Sequence, residues 1–569
     1  MTFKRIKRKI FHSGVIDTKG TIDPDEIFLD SSNLPDFDTH QFEGRLEKPI
    51  SKTTFLLTGI LFLIIGIVFT SRMWVLQVKQ GEAFQIRSDK NHLKHTTIYA
   101  DRGLILDRNK KELAWNELNP GSDFSFRKYI NQAGFAHVLG FVKYPSKDKS
   151  GFYYEEKFTP KGGVEEYYNN ELLGTNGLKI TETDALGNIQ SESLLTPPKD
   201  GANLTLSIDA GVQNKLFESI KSTAIDRGFS GGSGVIMDIH NGEILAITSY
   251  PEFDLNVMTD GTDSKAIQEI LLNKNNPFID RAISGLYIPG SIVKPYIALG
   301  ALEENLIDPL KKILSIGYIS IPNPYDPTKK TIFKDWKVHG WVDMRQGIAE
   351  SSDEYFYTIG GGYNGQKGLG IANIEKYIRM FGFGSNTGID LLGEKVGNIP
   401  SPEWKAATFK GDPWRIGDTY NSSIGQYGFQ VTPIQAVRAV ASLANNGTLL
   451  RPTVILNNPR ESKDTVSLAL SGDHFQIVKE GMKMSVDVGV AKGLSMPGIS
   501  VAAKTGTAEL GVTKQKVNSW VTGFFPYENP RFAFAVLMER GDRTNTIGAT
   551  YVMRQLLEWM YINTPQYVK

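Results

Sequence analysis

An uncharged apolar run near the N-terminus sets the first limit on what this chain can fold into. Residues 53–71, TTFLLTGILFLIIGIVFTS, contain no charged side chain and lie between Lys52 and Arg72. As a helix the run spans the roughly 30 Å hydrocarbon core of a bilayer, and a buried helix of a soluble protein is rarely uncharged for so long. The run is too long for the apolar part of a signal peptide, and no small-residue cleavage site follows it. The sequence therefore predicts an uncleaved transmembrane helix over 53–72.

The charges around this run predict which side of the membrane each part occupies. Residues 4–9, KRIKRK, form a basic cluster, and cytoplasmic segments carry an excess of such residues. The rest of residues 1–52 is largely polar, which predicts a flexible cytoplasmic tail. No second long apolar run follows, so we expect the working part of the protein to be extracytoplasmic.

Composition excludes several kinds of function. The chain has 63 Lys and Arg against 62 Asp and Glu, so it lacks the basic field that gathers nucleic acid. With no cysteine, disulfides, thiolate zinc sites and cysteine nucleophiles are excluded. The eight histidines form no zinc-like set with carboxylates, and no Gly-Lys pair marks a phosphate-binding loop. We expect no metal, no cofactor and no nucleic-acid partner.

The apolar pattern predicts two folded parts beyond the membrane run. Residues 73–205 mix short strands, at 96–100 and 103–107, with a helix at 164–173, which is typical of an irregular pedestal. For residues 206–569 the pattern predicts helices at 210–225, 292–304, 342–361, 370–381, 432–446 and 546–560. It predicts strands at 501–508, 519–525 and 531–538, and a hairpin over 234–249 whose Asn241-Gly242 pair indicates a type I′ turn. Strands at both ends with helices between them predict an α+β domain with a mainly antiparallel sheet.

A serine followed three residues later by a lysine occurs three times, at Ser125, Ser146 and Ser291. Only at the third does a Pro-Gly pair turn the chain just before the serine, with an apolar helical run after it. Ser291 would then lie in the first helical turn, where free N–H groups and the helix dipole favour a developing anion. Lys294 follows on the same face, within reach to act as the base that a serine nucleophile needs.

Two further segments carry side chains suited to the same chemistry. Ser351-Ser352-Asp353 stands on or just before a helix, where an ordinary N-cap is the simplest explanation of the segment taken alone. Lys504-Thr505-Gly506-Thr507 lies in a predicted strand, where a glycine allows a ligand backbone to approach closely. The lysine would supply a positive charge for a carboxylate, and the threonines would supply hydroxyl groups.

Taken together, Ser-x-x-Lys, Ser-x-Asp and Lys-Thr-Gly in this order resemble the motifs of the penicillin-binding protein and β-lactamase group of serine acyl-transferases. The resemblance runs from the membrane run to the C-terminus. It is carried by RGLILDRN at 102–109, VLGFV at 138–142, GGVEEYYNNELLG at 162–174, IDAGVQ at 208–213, NGEILAITSYPEFDLN at 241–256, LYIPGSIVKP at 286–295, HGWVDMRQGIAESSDEYFY at 339–357, FGFGSNTGIDL at 381–391, SIGQYGFQVTPIQ at 423–435 and AAKTGTAE at 502–509. The short part before residue 206 is similar to the pedestal, or dimerisation-type, domain of the monofunctional class B proteins. Asp353 stands where many members have asparagine. The segments SSDEYFY at 351–357 and GDTYNSSIGQ at 417–426 together resemble the elongation type, and the division type remains the alternative.

The resemblance implies a reaction and a role for each residue. Ser291 would attack the D-Ala-D-Ala end of a peptidoglycan stem peptide, with Lys294 as a neutral base and Ser351 as the group that passes a proton to the leaving amine. Lys504, Thr505 and Thr507 would bind the terminal carboxylate, and Gly506 and Asp353 would belong to the same substrate-binding site. An ionised Asp353 would also tune Lys294 or hold Lys504. The backbone N–H groups of Ser291 and Thr507 would form the oxyanion hole.

The same resemblance implies inhibition by β-lactams, a place in the bacterial inner membrane, and a multi-pass glycan polymerase of the elongation machinery as partner. A D-Ala-D-Ala carboxypeptidase would use the same ester with water as acceptor. A membrane sensor or structural partner that only binds β-lactam or wall peptide is the alternative of another class.

Overall fold

The computed structural model describes residues 52–80, 93–148, 153–155, 157–183, 189–323, 325–458 and 465–568. The chain divides into two units, Met1–His92 and Leu93–Lys569. In the first unit an α-helix, Lys52–Trp74, passes into a π-helical turn, Val75–Lys79, and none of its residues is buried. Among the described residues this is the one helix long and apolar enough to cross a membrane. The predicted cytoplasmic tail lies outside the described residues, apart from Lys52.

The part of the second unit before residue 206 consists of small sheets and short helices. Its strands are Leu93–Ile98, Gly177–Thr183 and Ile189–Thr196 in one sheet, Ile105–Leu106, Glu112–Glu117, Phe126–Tyr129 and Leu204–Thr205 in another, and the pairs Phe141–Lys143 with Thr159–Lys161 and Ser146–Lys147 with Tyr153–Glu155. Its helices are Ala136–Leu139, Gly163–Tyr167 and Asn169–Leu172. The helix predicted at 164–173 is therefore interrupted, because Tyr168 leaves helical backbone angles.

The rest of the second unit is built on a five-stranded antiparallel sheet. Its strands are β1 (Gly231–Asp238), β2 (Ile244–Tyr250), β3 (Ala502–Leu510), β4 (Lys516–Phe525) and β5 (Phe532–Asp542), in the order β2-β1-β5-β4-β3. β1 pairs with β5, from the far end of the chain, along its whole length. The predicted antiparallel sheet closed by chain-distant strands is confirmed, and β3 forms one edge of it.

The connection between β1 and β2 differs from the predicted type I′ turn. The strands pair as predicted, but the loop runs over residues 239–243 and only Gly242 in it has a positive φ, +78°. A type I′ turn needs positive φ at both central residues. Asn241 instead accepts the Glu243 N–H at 3.0 Å with its side chain, so the predicted turn type is wrong.

Helices cover both faces of the sheet. The main ones are α1 (Ala210–Arg227), α2 (Lys294–Glu303), α3 (Met344–Ala349), α4 (Asp353–Gly361), α5 (Pro433–Ala444), α6 (Gly472–Asp487) and α7 (Ala549–Asn563). Successive side chains of a strand point to opposite faces, and Ile236 of β1 accordingly packs with α1 and α7, whereas Val235 and Met237 belong to the core that contains α5. These two apolar layers hold the sheet between them.

Shorter elements complete the unit. The remaining α-helices are Leu255–Asp260, Ser264–Leu271, Gly370–Met380, Pro402–Thr408 and Ile416–Ser423, and the 3₁₀ turns are Gly290–Val293, Lys492–Leu494 and Pro565–Tyr567. Small hairpins or bridges pair Ile313–Ser315 with Gly340–Val342, Tyr318–Pro322 with Lys330–Lys334, and Thr448–Leu449 with Val466–Ser467. The predicted helices at 210–225, 370–381, 432–446 and 546–560 are confirmed within a few residues at each end.

Candidate active site

Ser291 lies at a tight turn where the chain enters a buried helix. Gly290 has φ +57°, which an L side chain rarely adopts, and its N–H donates to Gly425 O at 3.0 Å. Ser291 is in the 3₁₀ turn Gly290–Val293, which passes directly into α2 at Lys294. The structure thus puts the half-buried serine one turn ahead of the α-helix, close to the predicted position.

Edge strand β3 runs beside this turn, and glycine makes the approach possible. A Cβ at Gly506 would lie 2.8 Å from Pro289 O and 2.9 Å from Ile292 Cγ2. Trp520 on the neighbouring strand donates its indole N–H to Ile288 O at 3.0 Å. The close approach expected at Gly506 is present, but the atoms that approach belong to the turn before Ser291. Thr505 is half-buried and Thr507 is exposed on the same strand.

The predicted helix over 342–361 is broken at the second motif. α3 ends at Ala349 and α4 begins at Asp353, and between them Ser351 has φ +57°. Ser352 is the N-cap of α4 and accepts the Tyr355 N–H at 3.2 Å. The two serines therefore differ: the ordinary N-cap explanation holds for Ser352, whereas Ser351 is held in a left-handed conformation that is costly for a residue with a Cβ.

The three motifs meet at Ser351. Lys504 Nζ donates to Ser351 Oγ at 2.8 Å and to Thr505 O at 2.9 Å. Lys294 Nζ lies 2.8 Å from Ser351 O, 3.3 Å from Ser351 Oγ and 2.6 Å from Asp353 Oδ1. Both lysine side chains are fully buried, and Ser351 nearly so. Two amines from segments about two hundred residues apart thus share one serine hydroxyl.

Burial shifts the pKa values of two side chains in this cluster. Burial, reinforced by the charge of Lys294, lowers the pKa of Lys504 well below its ordinary value. Burial also raises the pKa of Asp353, although the charges of Lys294 and Lys504 oppose that shift. The ring of Phe356 lies 5.2 Å from Lys294 Nζ and adds an attraction for its positive charge. Perturbed groups of this kind, gathered beside a hydroxyl, are typical of catalytic sites.

Sequence reasoning identified the lysines but expected a different arrangement of their contacts. In this conformation the hydrogen-bond partners of Lys294 Nζ are Ser351 and Asp353, and Ser291 Oγ is not among them. Lys504, expected to face a substrate carboxylate, contacts Ser351 and its own strand. The direct contact between Lys294 and Ser291 stays a prediction.

Two buried acids near Ser351 were missed. Asp335 accepts the hydroxyl of Ser352 at 2.8 Å, and Glu354 accepts the hydroxyl of Ser315 at 2.9 Å and two backbone N–H groups. A carboxylate next to Trp336 in a polar stretch looks like a solvated loop residue, so the sequence carries no signal for Asp335. Within the described residues no group of His, Asp and Glu side chains has the geometry to hold a metal ion, and the expectation of no metal or cofactor stays a prediction.

Two protein-family models and several curated proteins match this chain. Residues 232–558 match the model of the penicillin-binding protein transpeptidase domain, and residues 122–206 match that of the penicillin-binding protein dimerisation domain. The peptidoglycan D,D-transpeptidase MrdA of Haemophilus influenzae is 31% identical, over 77% of this chain and 69% of the relative. MrdA of Escherichia coli is 27% identical, over 88% of this chain and 92% of the relative.

Solved structures of penicillin-binding protein 2 are also similar to this chain. Pseudomonas aeruginosa PBP2, solved in complex with WCK 5153, has a TM-score of 0.68 at 28% identity and covers 84% of this chain and 98% of its own. Helicobacter pylori PBP2 in its complex with MreC has a TM-score of 0.68 at 27% identity, over 82% of this chain and 98% of its own.

Proposed function

This chain belongs to the penicillin-binding protein transpeptidase family, and on that premise we propose that it cross-links peptidoglycan through an ester on Ser291. It is a peptidoglycan D,D-transpeptidase of the elongation type, a class B penicillin-binding protein most like penicillin-binding protein 2. One observation supports the assignment of the site: Lys294 and Lys504 both contact the hydroxyl of Ser351. Lys294 directly follows the 3₁₀ turn that carries Ser291.

The acylation step follows from these positions. Ser291 Oγ bonds to the carbonyl carbon of the penultimate D-alanine while Lys294, as a neutral amine, takes the hydroxyl proton. The amide C–N bond breaks, and the leaving nitrogen receives a proton through Ser351. Ser351 Oγ is suited to this role because it lies within hydrogen-bond distance of both amines. An amine of a second stem peptide then attacks the ester, forms the new amide and returns the bonding electrons to Ser291 Oγ.

We assign the oxyanion to the backbone N–H groups of Ser291 and Thr507. The fit of Gly506 against Pro289 supports this assignment, because it brings strand β3 within contact of the turn. One such donor is commonly worth about 3 to 4 kcal/mol of transition-state stabilisation. β3 is an edge strand, so an extended stem peptide can pair with its free side, where Thr505 and Thr507 offer hydroxyls to the terminal carboxylate. Lys504 lies buried on the same strand, and its amine contacts Ser351 Oγ and Thr505 O beside this edge.

Division-type and carboxypeptidase activities are less well supported. The relatives at 27 to 33% identity with the strongest matches are named MrdA, which favours elongation. A purely structural role is disfavoured by the intact serine and lysine set.

We also propose a domain division and a topology. The pedestal comprises residues 73–205 and the transpeptidase domain 206–569, a division supported by the family-model matches at 122–206 and 232–558. The helix Lys52–Trp74 anchors the chain in the bacterial inner membrane, with a cytoplasmic N-terminus and an extracytoplasmic catalytic domain. The solved complex of Helicobacter pylori PBP2 with MreC supports membership in an elongation assembly, and we propose a multi-pass glycan polymerase as a further partner.

The topology is testable because the chain has no cysteine. Single-cysteine variants Ser13→Cys in the tail and Val512→Cys, which is fully exposed, are treated in intact cells with a membrane-impermeant maleimide after outer-membrane permeabilisation. We expect labelling at 512 alone. Labelling at residue 13 and not at 512 overturns the orientation.

The catalytic assignment is tested with a fluorescent penicillin on the detergent-extracted full chain. We expect a covalent band in the wild type, its loss in Ser291→Ala, and an unchanged band in Ser146→Ala, the matched control from another Ser-x-x-Lys pair. Incubation with a pentapeptide donor and an amine acceptor should give a cross-linked product. A folded wild type that takes no label rules out the acyl-serine mechanism, and hydrolysis without any cross-linked product favours a carboxypeptidase.

A further inference from the structure

The loop between strands Lys330–Lys334 and Gly340–Val342 lies against the second motif. Its first residue, Asp335, follows directly after the strand, and the Asp335 N–H donates to Gly317 O at 2.8 Å. The Asp335 side chain is completely buried. A buried carboxylate is costly unless hydrogen bonds compensate it, so its contacts indicate what it stabilises.

Asp335 binds the motif on both sides of Asp353. Its Oδ2 accepts the Ser352 hydroxyl at 2.8 Å and the Glu354 N–H at 2.9 Å. Its Oδ1 accepts the Trp336 N–H at 2.7 Å and lies 3.4 Å from Nε2 of His339. Burial alone would raise the pKa of Asp335, but the hydrogen bonds from His339 and the Glu354 N–H, with the charge of Lys294, hold it below its ordinary value. The carboxylate therefore accepts bonds from the backbone and side chain that follow Ser351.

The neighbouring tryptophan holds Ser351 itself. Trp336 Nε1 donates to Ser351 O at 3.3 Å, the same oxygen that accepts Lys294 Nζ at 2.8 Å. The residue is 56% exposed, so this indole is not a core residue that merely happens to touch the loop. Two adjacent residues thus form hydrogen bonds to the segment that contains the left-handed Ser351.

We propose that Asp335 and Trp336 are positioning residues for the reaction, which hold Ser351 in its left-handed conformation so that its hydroxyl stays between Lys294 and Lys504. This inference rests on the proposed function, since it assigns work to Ser351 in acylation. A left-handed serine needs such support because the conformation costs roughly 1–2 kcal/mol. Without it the segment relaxes, and Ser351 Oγ moves away from the two amines.

The test distinguishes an effect on the acylation rate from an effect on penicillin binding. Saturation kinetics with a fluorescent penicillin on the full chain give the maximal acylation rate and the half-saturating concentration for each variant. Asp335→Asn keeps the size of the side chain but turns an NH₂ group toward N–H or O–H donors. Trp336→Phe keeps the ring and removes the N–H. The matched controls are Asp343→Asn, at the N-cap of α3, where asparagine caps equally well, and Trp341→Phe, another exposed tryptophan.

We expect Asp335→Asn to lower the maximal rate by about 10²-fold, the effect of a misplacement near 1 Å, with the half-saturating concentration within about threefold of wild type. Trp336→Phe should lower the rate by roughly fivefold, as expected for one lost hydrogen bond. The two controls should acylate at the wild-type rate. Where Asp335→Asn fails to fold, Trp336→Phe decides.

The outcomes distinguish this inference from the proposed function. A wild type that is acylated at Ser291, together with folded Asp335→Asn and Trp336→Phe variants acylated at the wild-type rate, overturns the positioning role and leaves the function intact. A change confined to the half-saturating concentration overturns it as well. A wild type that takes no label overturns the proposed function first.

Discussion

Replacing Asp353 by asparagine removes one charge and little else, which makes it an informative perturbation of this site. Its Oδ1 lies 2.6 Å from Lys294 Nζ, and the Lys294 side chain is completely buried. At that distance two unit charges attract by roughly 6 kcal/mol at an effective dielectric constant near 20. Asp353→Asn removes this attraction, and acylation requires Lys294 as a neutral amine.

Much of that attraction is offset by the cost of burying the two charges. Even a quarter of it, about 1.5 kcal/mol, corresponds to about one pH unit. We therefore expect the acid limb of the acylation rate, measured with a fluorescent penicillin from pH 5 to 9, to move down by about one unit in Asp353→Asn. Asp343→Asn, which lacks a contact with Lys294, should follow the wild-type profile.

Breaking an ion pair usually lowers the free energy of unfolding, but we do not expect Asp353→Asn to lower it. Burial raises the pKa of Asp353 even against the charges of the two lysines. A carboxyl with a raised pKa favours folding most below its unfolded pKa, near 3.8, and that contribution is lost as pH rises through the folded pKa. The uncharged asparagine avoids the cost of the buried carboxylate at every pH above that folded pKa.

Thermal unfolding should therefore show Asp353→Asn as stable as the wild type or slightly more stable at pH 7, with the difference shrinking toward pH 4. An acid limb that stays in place or moves upward refutes the coupling between Asp353 and the base. A loss of about 3 to 5 kcal/mol, the usual result of breaking a buried pair, contradicts the argument from burial.

Three other perturbations follow from the packing and the remaining buried charges. Gly506→Ala places a methyl group 2.8 Å from a backbone oxygen, so penicillin acylation should fall by about 10-fold or more, whereas Gly472→Ala, which has open space, should acylate normally. Glu165→Gln leaves two buried arginines without their carboxylate and should cost about 3 to 5 kcal/mol in urea unfolding, with exposed Glu166→Gln as the near-neutral control. Burial raises the pKa of Glu252 to about 7, above its unfolded value, so its contribution is present in acid and lost as pH rises through 7. Glu252→Gln should flatten the fall in melting temperature between pH 5 and 8, and an unchanged slope contradicts this assignment.

The fold was largely predictable because its signals are local. A continuous apolar run over 532–538 marks β5. The largely apolar helix α5 starts after Thr432, a capping residue that Pro433 follows. The membrane helix needs only its length and lack of charge. The two failures have different causes. A local contact from the Glu243 N–H to the Asn241 side chain accompanies the different hairpin turn. The helix predicted over 342–361 is interrupted at Ser351, whose carbonyl oxygen accepts bonds from Lys294 and Trp336.

The candidate site was predictable in its residues and not in its geometry. Three motifs in order pointed to Ser291, the lysines and Ser351, because each residue type serves a recognisable step. Their mutual contacts depend on how segments far apart in sequence pack. The sequence placed Asp353 among the lysines, but it did not indicate that Lys504 contacts Ser351. The sequence did not indicate the roles of Asp335 and Trp336 for the same reason, because their hydrogen-bond partners follow about fifteen residues later across a loop.

The strain at Ser351 explains why this part of the site needs so many partners. A glycine would adopt φ +57° at no steric cost, but it would remove the hydroxyl that both lysines contact. A serine keeps the hydroxyl and must be held, and its carbonyl oxygen accepts bonds from Lys294 and Trp336 while Asp335 holds the residues that follow. Ser351→Gly should therefore leave the fold as stable as the wild type or more so, and yet acylate far more slowly than Ser146→Gly. If Ser351→Gly is instead clearly destabilised in urea unfolding, the left-handed conformation is not a source of strain, and the need for the two positioning residues disappears with it.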